Sequence, residues 1–265
     1  MLECKNMEQN RYTFIISTIQ KAGELLLESR DKHMEVSIKG GDERDLVTNV
    51  DIEINNFITE RIHSTFPSED IYSEEATKEN ISSGSFWSID PIDGTKNFVR
   101  SIPLFSIVIA YVDKGTALVG AVYNPVTKEL FSFEKGRGAF LNEKPIKVSD
   151  KVELKKSTIF LTTGRNKEYW DWGAKVYRFL LENAHSVRGI ASSGLDICFV
   201  AAGRSESCIY GNLTAIDVIA AIGILKEAGG LVEGKSGSID FLSKVPQTIF
   251  AVNNREILDA IKTGI

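Results

Sequence analysis

With 265 residues, 43% of them hydrophobic and 25% charged, the chain can bury a large core, as one big domain or two tightly joined lobes, and is too apolar to be disordered. A net charge of -5, with no basic run and no interleaved aromatic stripe, argues against nucleic-acid and anionic-membrane partners. Three cysteines (Cys4, Cys198, Cys208) without CxxC spacing point to reduced thiols, and an N-terminus lacking the features of a signal peptide points to a cytoplasmic protein.

Apolar residues at helical spacing, among them Tyr12, Ile15, Ile16, Ile19, Leu26 and Leu27, predict an amphipathic helix over 8–30. The polar, glycine-rich stretch 35–44 reads as a loop carrying Lys39 and Arg44, either a solvated hairpin or a flap able to close over a phosphate. Thr48 and Asp51 have the spacing of a capping box, and Val50, Ile54, Phe57, Ile58 and Ile62 then predict a helix that stops before Pro67. Asp51 is there either as a favourable first-turn acid or as a functional one.

A short strand over 70–73 runs into Glu74 and Glu75, and a second over 86–89 runs into Asp90-Pro91-Ile92-Asp93-Gly94-Thr95. Pro91 fixes its own φ and biases Asp90 toward an extended conformation, so a sharp corner is expected in which Asp90 and Asp93 face one point. Paired carboxylates in a half-buried corner repel one another, and a divalent cation relieves the repulsion. Gly94 lets the backbone approach a ligand, and the amides of Gly94 and Thr95 stand where a helix would begin, a natural anion site. Metal and phosphate are thus invited to adjacent positions.

Beyond this stretch, β-rich runs at 104–112 and 116–123 flank the hairpin signal Asp113-Lys114-Gly115, and 129–133 and 139–141 add strands to an antiparallel sheet. Gly136-Arg137-Gly138 lacks the Lys-Ser/Thr of a P-loop and reads as a tight turn. From about Lys151 the pattern changes to strand (158–162), helix (168–183), strand (185–188) and helix (195–202), so a soft boundary is expected between lobes 1–150 and 151–265. Ser192-Ser193-Gly194 opens the last of these helices, with Asp196 near its positive end. After a strand at 207–210, an apolar helix is predicted from Thr214 to Ala228, closed by Gly229-Gly230. Asp217 within it is costly to bury unless compensated, by a metal or as a cap paired with Thr214. The histidines (His33, His63, His185) are scattered, and no G-x-S-x-G elbow occurs.

The run Asp90-Pro91-Ile92-Asp93-Gly94-Thr95-Lys96-Asn97-Phe98 resembles the core motif of the inositol monophosphatase family, Mg²⁺-dependent phosphomonoesterases. The resemblance extends from Asp51 to Gly230 and implies an α/β fold, a layered αβαβα sandwich, usually as a homodimer. It implies one metal held by Glu74, Asp90 and the carbonyl of Ile92, a second held by Asp90, Asp93 and Asp217, and Asp51 reaching the site through water or a third ion. Gly94 and Thr95 would bind phosphate, Thr95 and Glu74 would position the attacking water, and Ser193, Gly194, Asp196 and Tyr210 would contact the substrate. The second motif, Trp-Asp-x-Ala-Ala-Gly in the family, departs here, with Ile216 for Trp and Ile219 for the first Ala. Tyr210 stands where inositol-specific members usually carry Glu, which admits other leaving groups, a nucleotide stacked on its ring among them. The expected reaction is hydrolysis of a small phosphorylated metabolite by metal-activated water without a covalent intermediate. An NADP or 3′-nucleotide phosphatase, a fructose 1,6-bisphosphatase and a catalytically silent interaction module are the alternatives.

Overall fold

The computed structural model describes residues 2–38, 41, 43, 46–75, 84–164, 167–240, 243 and 245–265, and side chains from Arg11 on. In chain order the first half comprises α1 (Leu2–His33), β1 (Val36–Ile38), β2 (Leu46–Thr48), α2 (Asn49–Thr65), β3 (Asp70–Ser73), β4 (Ser85–Asp93), α3 (Thr95–Val99), β5 (Ser106–Asp113), β6 (Thr116–Asn124), β7 (Glu129–Glu134), β8 (Gly138–Leu141) and β9 (Lys144–Ile146). The second comprises β10 (Thr158–Thr162), α4 (Trp170–Asn183), β11 (Ser186–Arg188), α5 (Ser193–Ala201), β12 (Ser207–Leu213), α6 (Ile219–Glu227), β13 (Leu231–Gly234), β14 (Gln247–Val252) and α7 (Arg255–Gly264).

Strands β3 to β9 form a seven-stranded sheet in chain order, and β11-β10-β12-β14-β13 a five-stranded one. In the larger sheet alternate residues feed two different cores. Trp87, Ile89, Ile107, Ile109, Val119 and Ala121 pack against Ile15, Ile19, Ile54 and Ile58 of α1 and α2. Their neighbours Phe86, Val108, Ala110, Val122, Phe131 and Phe133 pack against α5 and α6. A strand buried on both faces needs apolar residues in both registers, which is why β5 reads as a continuous apolar run rather than an alternating one. The smaller sheet repeats the arrangement. Cys208 and Tyr210 face α5 and α6, while Ile159, Ile209, Phe250 and Val252 pack on Val176 and Leu180 of α4 and on Ile257, Leu258 and Ile261 of α7. The result is five layers, α1/α2, sheet, α5/α6, sheet, α4/α7, the expected αβαβα sandwich. Each fully buried large side chain in it, Trp87 and Phe133 for example, contributes on the order of 2 kcal/mol.

Several boundaries differ from the sequence expectation. The first sheet is not wholly antiparallel, because β3 runs parallel to β4. Part of the expected loop 35–44 is strand, with Val36–Ile38 pairing with Leu46–Thr48, while Lys39 and Arg44 lie outside the described residues. Two strands and a helix follow Gly230, where the sequence reading stopped. The start of α7 carries a clear local signal, Asn254 Oδ1 accepting the amide of Ile257 at 2.9 Å as an N-cap. Among the described residues no helix is long and apolar enough to cross a membrane.

Candidate active site

β4 does not end in a sharp corner at Pro91. It runs on to Asp93, and its register with β5 shifts between Asp90, opposite Val108, and Asp93, opposite Ser106. Three steps along β4 answer two along β5, a bulge placed where Pro91 has no N–H to give to a ladder. The bulge is tied by the Ile92 amide, which donates to Asp90 Oδ1 at 3.0 Å. Gly94 then turns the chain with φ of 89°. A Cβ there would lie 3.2 Å from both Leu104 O and Ser192 Cβ, so position and conformation both require glycine. α3 starts at Thr95, and the first amides of a helix have no intrahelical partner. The Thr95 hydroxyl donates to Ile92 O at 3.0 Å.

Three more segments bring acids to this point. Glu74, just past β3, is held beside β4 by its amide, which donates to Ile89 O at 3.2 Å. Asp51 lies in the first turn of α2, where the expected capping box with Thr48 is present: Thr48 N donates to Asp51 Oδ2 at 2.8 Å and Asp51 N to Thr48 Oγ1 at 3.2 Å. Asp217 is not inside the long helix. Residues 215–218 form a single 3-10 turn before α6, and Ser88 Oγ donates to Ile216 O at 2.8 Å, fastening that turn to β4. Thr214 makes no side-chain cap bond there, so the cap reading of Asp217 fails.

The electrostatics confirm that the acids meet. Burial pushes the Asp90 carboxyl well above its ordinary pKa, and the charges of Glu74, Asp93, Asp217 and Asp51 push it further. Burial likewise raises Asp51 to about 6, opposed by its bonds to Thr48 and reinforced by Glu75 and Glu74. Asp93 is engaged otherwise. Its Oδ1 accepts Ser193 N and Ser193 Oγ, both at 2.8 Å, and its Oδ2 accepts Ser106 Oγ at 2.9 Å, Ser192 Oγ at 2.5 Å and Gly194 N at 3.0 Å. Among the described residues no three acids stand close enough to coordinate one ion as placed. With Asp93 turned onto residues 192–194, closing a coordination shell takes a side-chain adjustment.

A cavity of about 440 Å³ opens over these groups, and Glu74, Asp90, Ile92, Asp93, Gly94, Thr95, Ser193, Tyr210 and Asp217 line it. Asp51, Gly194 and Asp196 do not; they sit behind the wall. Tyr210 is 5% exposed, and its hydroxyl donates to Asp196 Oδ2. Burial raises Asp196 to about 8, with the charge of Asp93 adding and the Tyr210 bond opposing. The sequence reading missed Thr162, Thr163, Gly164, Lys96, Asn212 and Pro246, which also line the cavity. A signal existed for two groups of them. β10 and β12 are parallel neighbours, and ligands gather at the carboxyl ends of parallel strands, where Thr163-Gly164 and Asn212 lie.

The profile of the inositol monophosphatase family matches residues 7–262. A Thermotoga maritima protein named fructose-1,6-bisphosphatase/inositol-1-monophosphatase is 35% identical over 228 residues, 86% of each chain. Inositol monophosphatase 3 of Solanum lycopersicum is 37% identical over 232 residues, covering 84% of this chain and 85% of its own. Among solved structures, a Thermotoga maritima IMPase superposes with a TM-score of 0.86 at 32% identity, over 96% of both chains. Shared sequence and shared layers extend across almost the whole polypeptide, and the chain therefore belongs to the inositol monophosphatase family of phosphomonoester hydrolases.

Proposed function

We propose that the chain hydrolyses a small-molecule phosphomonoester with two or three Mg²⁺ ions held by Glu74, Asp90, the Ile92 carbonyl, Asp93 and Asp217. The observation that carries this reading is the crowding at Asp90, whose buried carboxyl feels four other acids drawn from separate segments. Such crowding out of water costs several kcal/mol unless a cation offsets it. A donor set made only of oxygens suits a hard dication that keeps part of its water shell.

The bound ions would supply positive charge to the phosphate and leaving oxygens and lower the pKa of a water. The amides of Gly94 and Thr95 hold phosphate oxygens at the start of α3. Thr95 Oγ1, whose hydrogen is committed to Ile92 O, accepts a hydrogen bond from the attacking water, and Glu74 draws off its proton. Asp51, buried behind Glu74, acts through its charge or through a further water. No side chain bonds to phosphorus, so configuration there inverts.

On the leaving-group side, Ser193 and Tyr210 face the substrate, with Gly194 and Asp196 supporting them. Tyr210, almost wholly buried and tied to Asp196, shapes the pocket and offers little ring surface for stacking. Its presence in place of an acid, together with a relative named for fructose-1,6-bisphosphatase as well as inositol-1-monophosphatase, keeps sugar bisphosphates, NADP and 3′-nucleotides as the second reading. A silent interaction module would have no need of all five acids. Phosphate release from inositol 1-phosphate, NADP, 3′-phosphoadenosine 5′-phosphate and fructose 1,6-bisphosphate, with and without Mg²⁺, tests the assignment. Absence of Mg²⁺-dependent release from every one of them, and from an aryl phosphate, would refute it.

The same reading takes 1–150 as the lobe supplying most metal ligands and 151–265 as the lobe completing the site. It makes the protein a cytoplasmic homodimer. Buried free thiols at Cys198 and Cys208 suit a reducing compartment, and the outer face of α4 exposes Trp170, Tyr177 and Leu181 at helical spacing for a second copy.

A further inference from the structure

A second cavity, of about 230 Å³, lies on the far side of α6 from Asp217 in the sequence of that element, and it shares no lining residue with the first. Its floor is apolar. Phe133, Ile219 and Ile222 are buried there, and Gly223 lets the Phe133 ring lie against the helix, since a Cβ at that position would stand 2.2 Å from the ring. Its rim is cationic, with Lys135 from the end of β7, Lys226 from α6 and the hydroxyl-bearing Thr116 from the β5–β6 hairpin. The one carboxylate in the wall, Glu227, is occupied with backbone: its two oxygens accept Gly136 N and Gly138 N, both at 3.0 Å, pinning the β7–β8 turn to the end of α6. Both ammonium groups therefore face a pocket whose only acid is turned to the turn amides.

We propose that this cavity is a binding site for a small oxyanion on an apolar stem, an aromatic carboxylate or phosphate ester, separate from the catalytic cavity. The anion would sit between Lys135 and Lys226 and the stem on Phe133 and Ile222. Two like charges over an apolar floor repel, and an anion between them relieves the repulsion while gaining charge-assisted hydrogen bonds. Partial burial and the charge of Lys135 both lower the pKa of Lys226, in keeping with that strain. The volume is below the usual range for drug-sized ligands, which restricts the occupant to about one ring and its charged group. Because α6 follows directly on the turn carrying Asp217, an occupant bridging β7 and α6 would stiffen the element on which Asp217 rests.

Benzoate is a suitable probe, followed by calorimetry or chemical-shift perturbation on the full chain with Mg²⁺ and saturating inorganic phosphate present. Expected is millimolar or tighter binding, with shifts at residues 133–135 and 219–227, weakened about tenfold in Lys135→Met and in Lys226→Met and at least as weak for acetate, which has the charge without the ring. Lys135 lies at an exposed turn, so its variant stays informative if Lys226→Met folds poorly. Absence of binding at 20-fold higher concentration than about 1 mM, equal binding by the Lys135→Met variant, or shifts confined to the catalytic cavity would overturn the proposal. The readout is binding alone, so it stands or falls independently of the phosphatase assignment.

Discussion

The carboxylate of Asp93 accepts the backbone amide of Ser193 at 2.8 Å, across 100 residues of chain. Four further donors, from Ser193, Ser192, Gly194 and Ser106, converge on the same side chain, so Asp93 joins the end of β4 to the start of α5. Asp93→Asn should act twice. It removes a charge from the proposed metal site, and it sets a side-chain N–H₂ against backbone donors that need an acceptor. Turnover should fall by about 10³ or more, and stability by about 1–3 kcal/mol. Phosphate release and urea unfolding of the metal-free variant measure the two effects separately. An inactive variant of unchanged stability would remove the joining role.

Asp196 supplies a pH dependence. In the folded chain it holds its proton up to about 8, because it is buried, whereas in the unfolded chain it ionises near the ordinary carboxylate value of about 4. Between these values the native state binds one more proton than the unfolded state. This contribution to stability is therefore complete at acid pH and is lost as pH rises toward 8, at up to about 1.4 kcal/mol per pH unit. Asp196→Asn keeps an acceptor for the Tyr210 hydroxyl and has no proton to lose. Urea midpoints at pH 5, 6 and 7 in the presence of a chelator should fall more steeply for the parent than for the variant. Parallel slopes would contradict the assignment.

The exposed apolar stripe of α4 predicts oligomeric behaviour. Leu181 is 59% exposed and Tyr177 46%, on the face opposite the buried Gly173, Val176 and Leu180. Leu181→Lys combined with Tyr177→Lys should shift the protein from dimer to monomer in sedimentation equilibrium without altering its circular dichroism, since neither side chain supports the core. A parent that sediments as a monomer would show that the stripe is not a dimer contact.

Tyr210→Glu tests the leaving-group side. If the side chain at 210 selects the substrate, the exchange should raise the kcat/KM for inositol 1-phosphate relative to fructose 1,6-bisphosphate by about tenfold, the worth of one well-placed polar contact. An unchanged ratio in a folded variant would place selection elsewhere in the cavity, for instance at Asn212 or Thr163.

The acids were the readable part of this chain because a buried carboxylate is chemically conspicuous: Asp90 and Asp93 around Pro91, Asp217 in an apolar run and Asp51 in a capping box could be picked out one by one. The αβαβα layering was also accessible, through a family resemblance and through strands such as β5 that are apolar in both registers. What was lost depends on tertiary contacts. Nothing local says that Pro91 makes a bulge rather than a corner, since that is decided by pairing with Val108 and Ser106 on β5. The 3-10 turn that presents Asp217 is likewise fixed by Ser88 on a distant strand. β13 and β14 were missed because short strands after Gly229-Gly230 resemble turn sequence until their partners are known.

The account turns on the Mg²⁺-dependent rate of phosphate release by the parent chain and by Asp90→Asn, measured on the four-substrate panel at equal protein concentration. It predicts release by the parent that rises with Mg²⁺ and vanishes with chelator, and a rate at least about 10³-fold lower in the variant. Release that ignores Mg²⁺, or an Asp90→Asn chain as active as the parent, would contradict it.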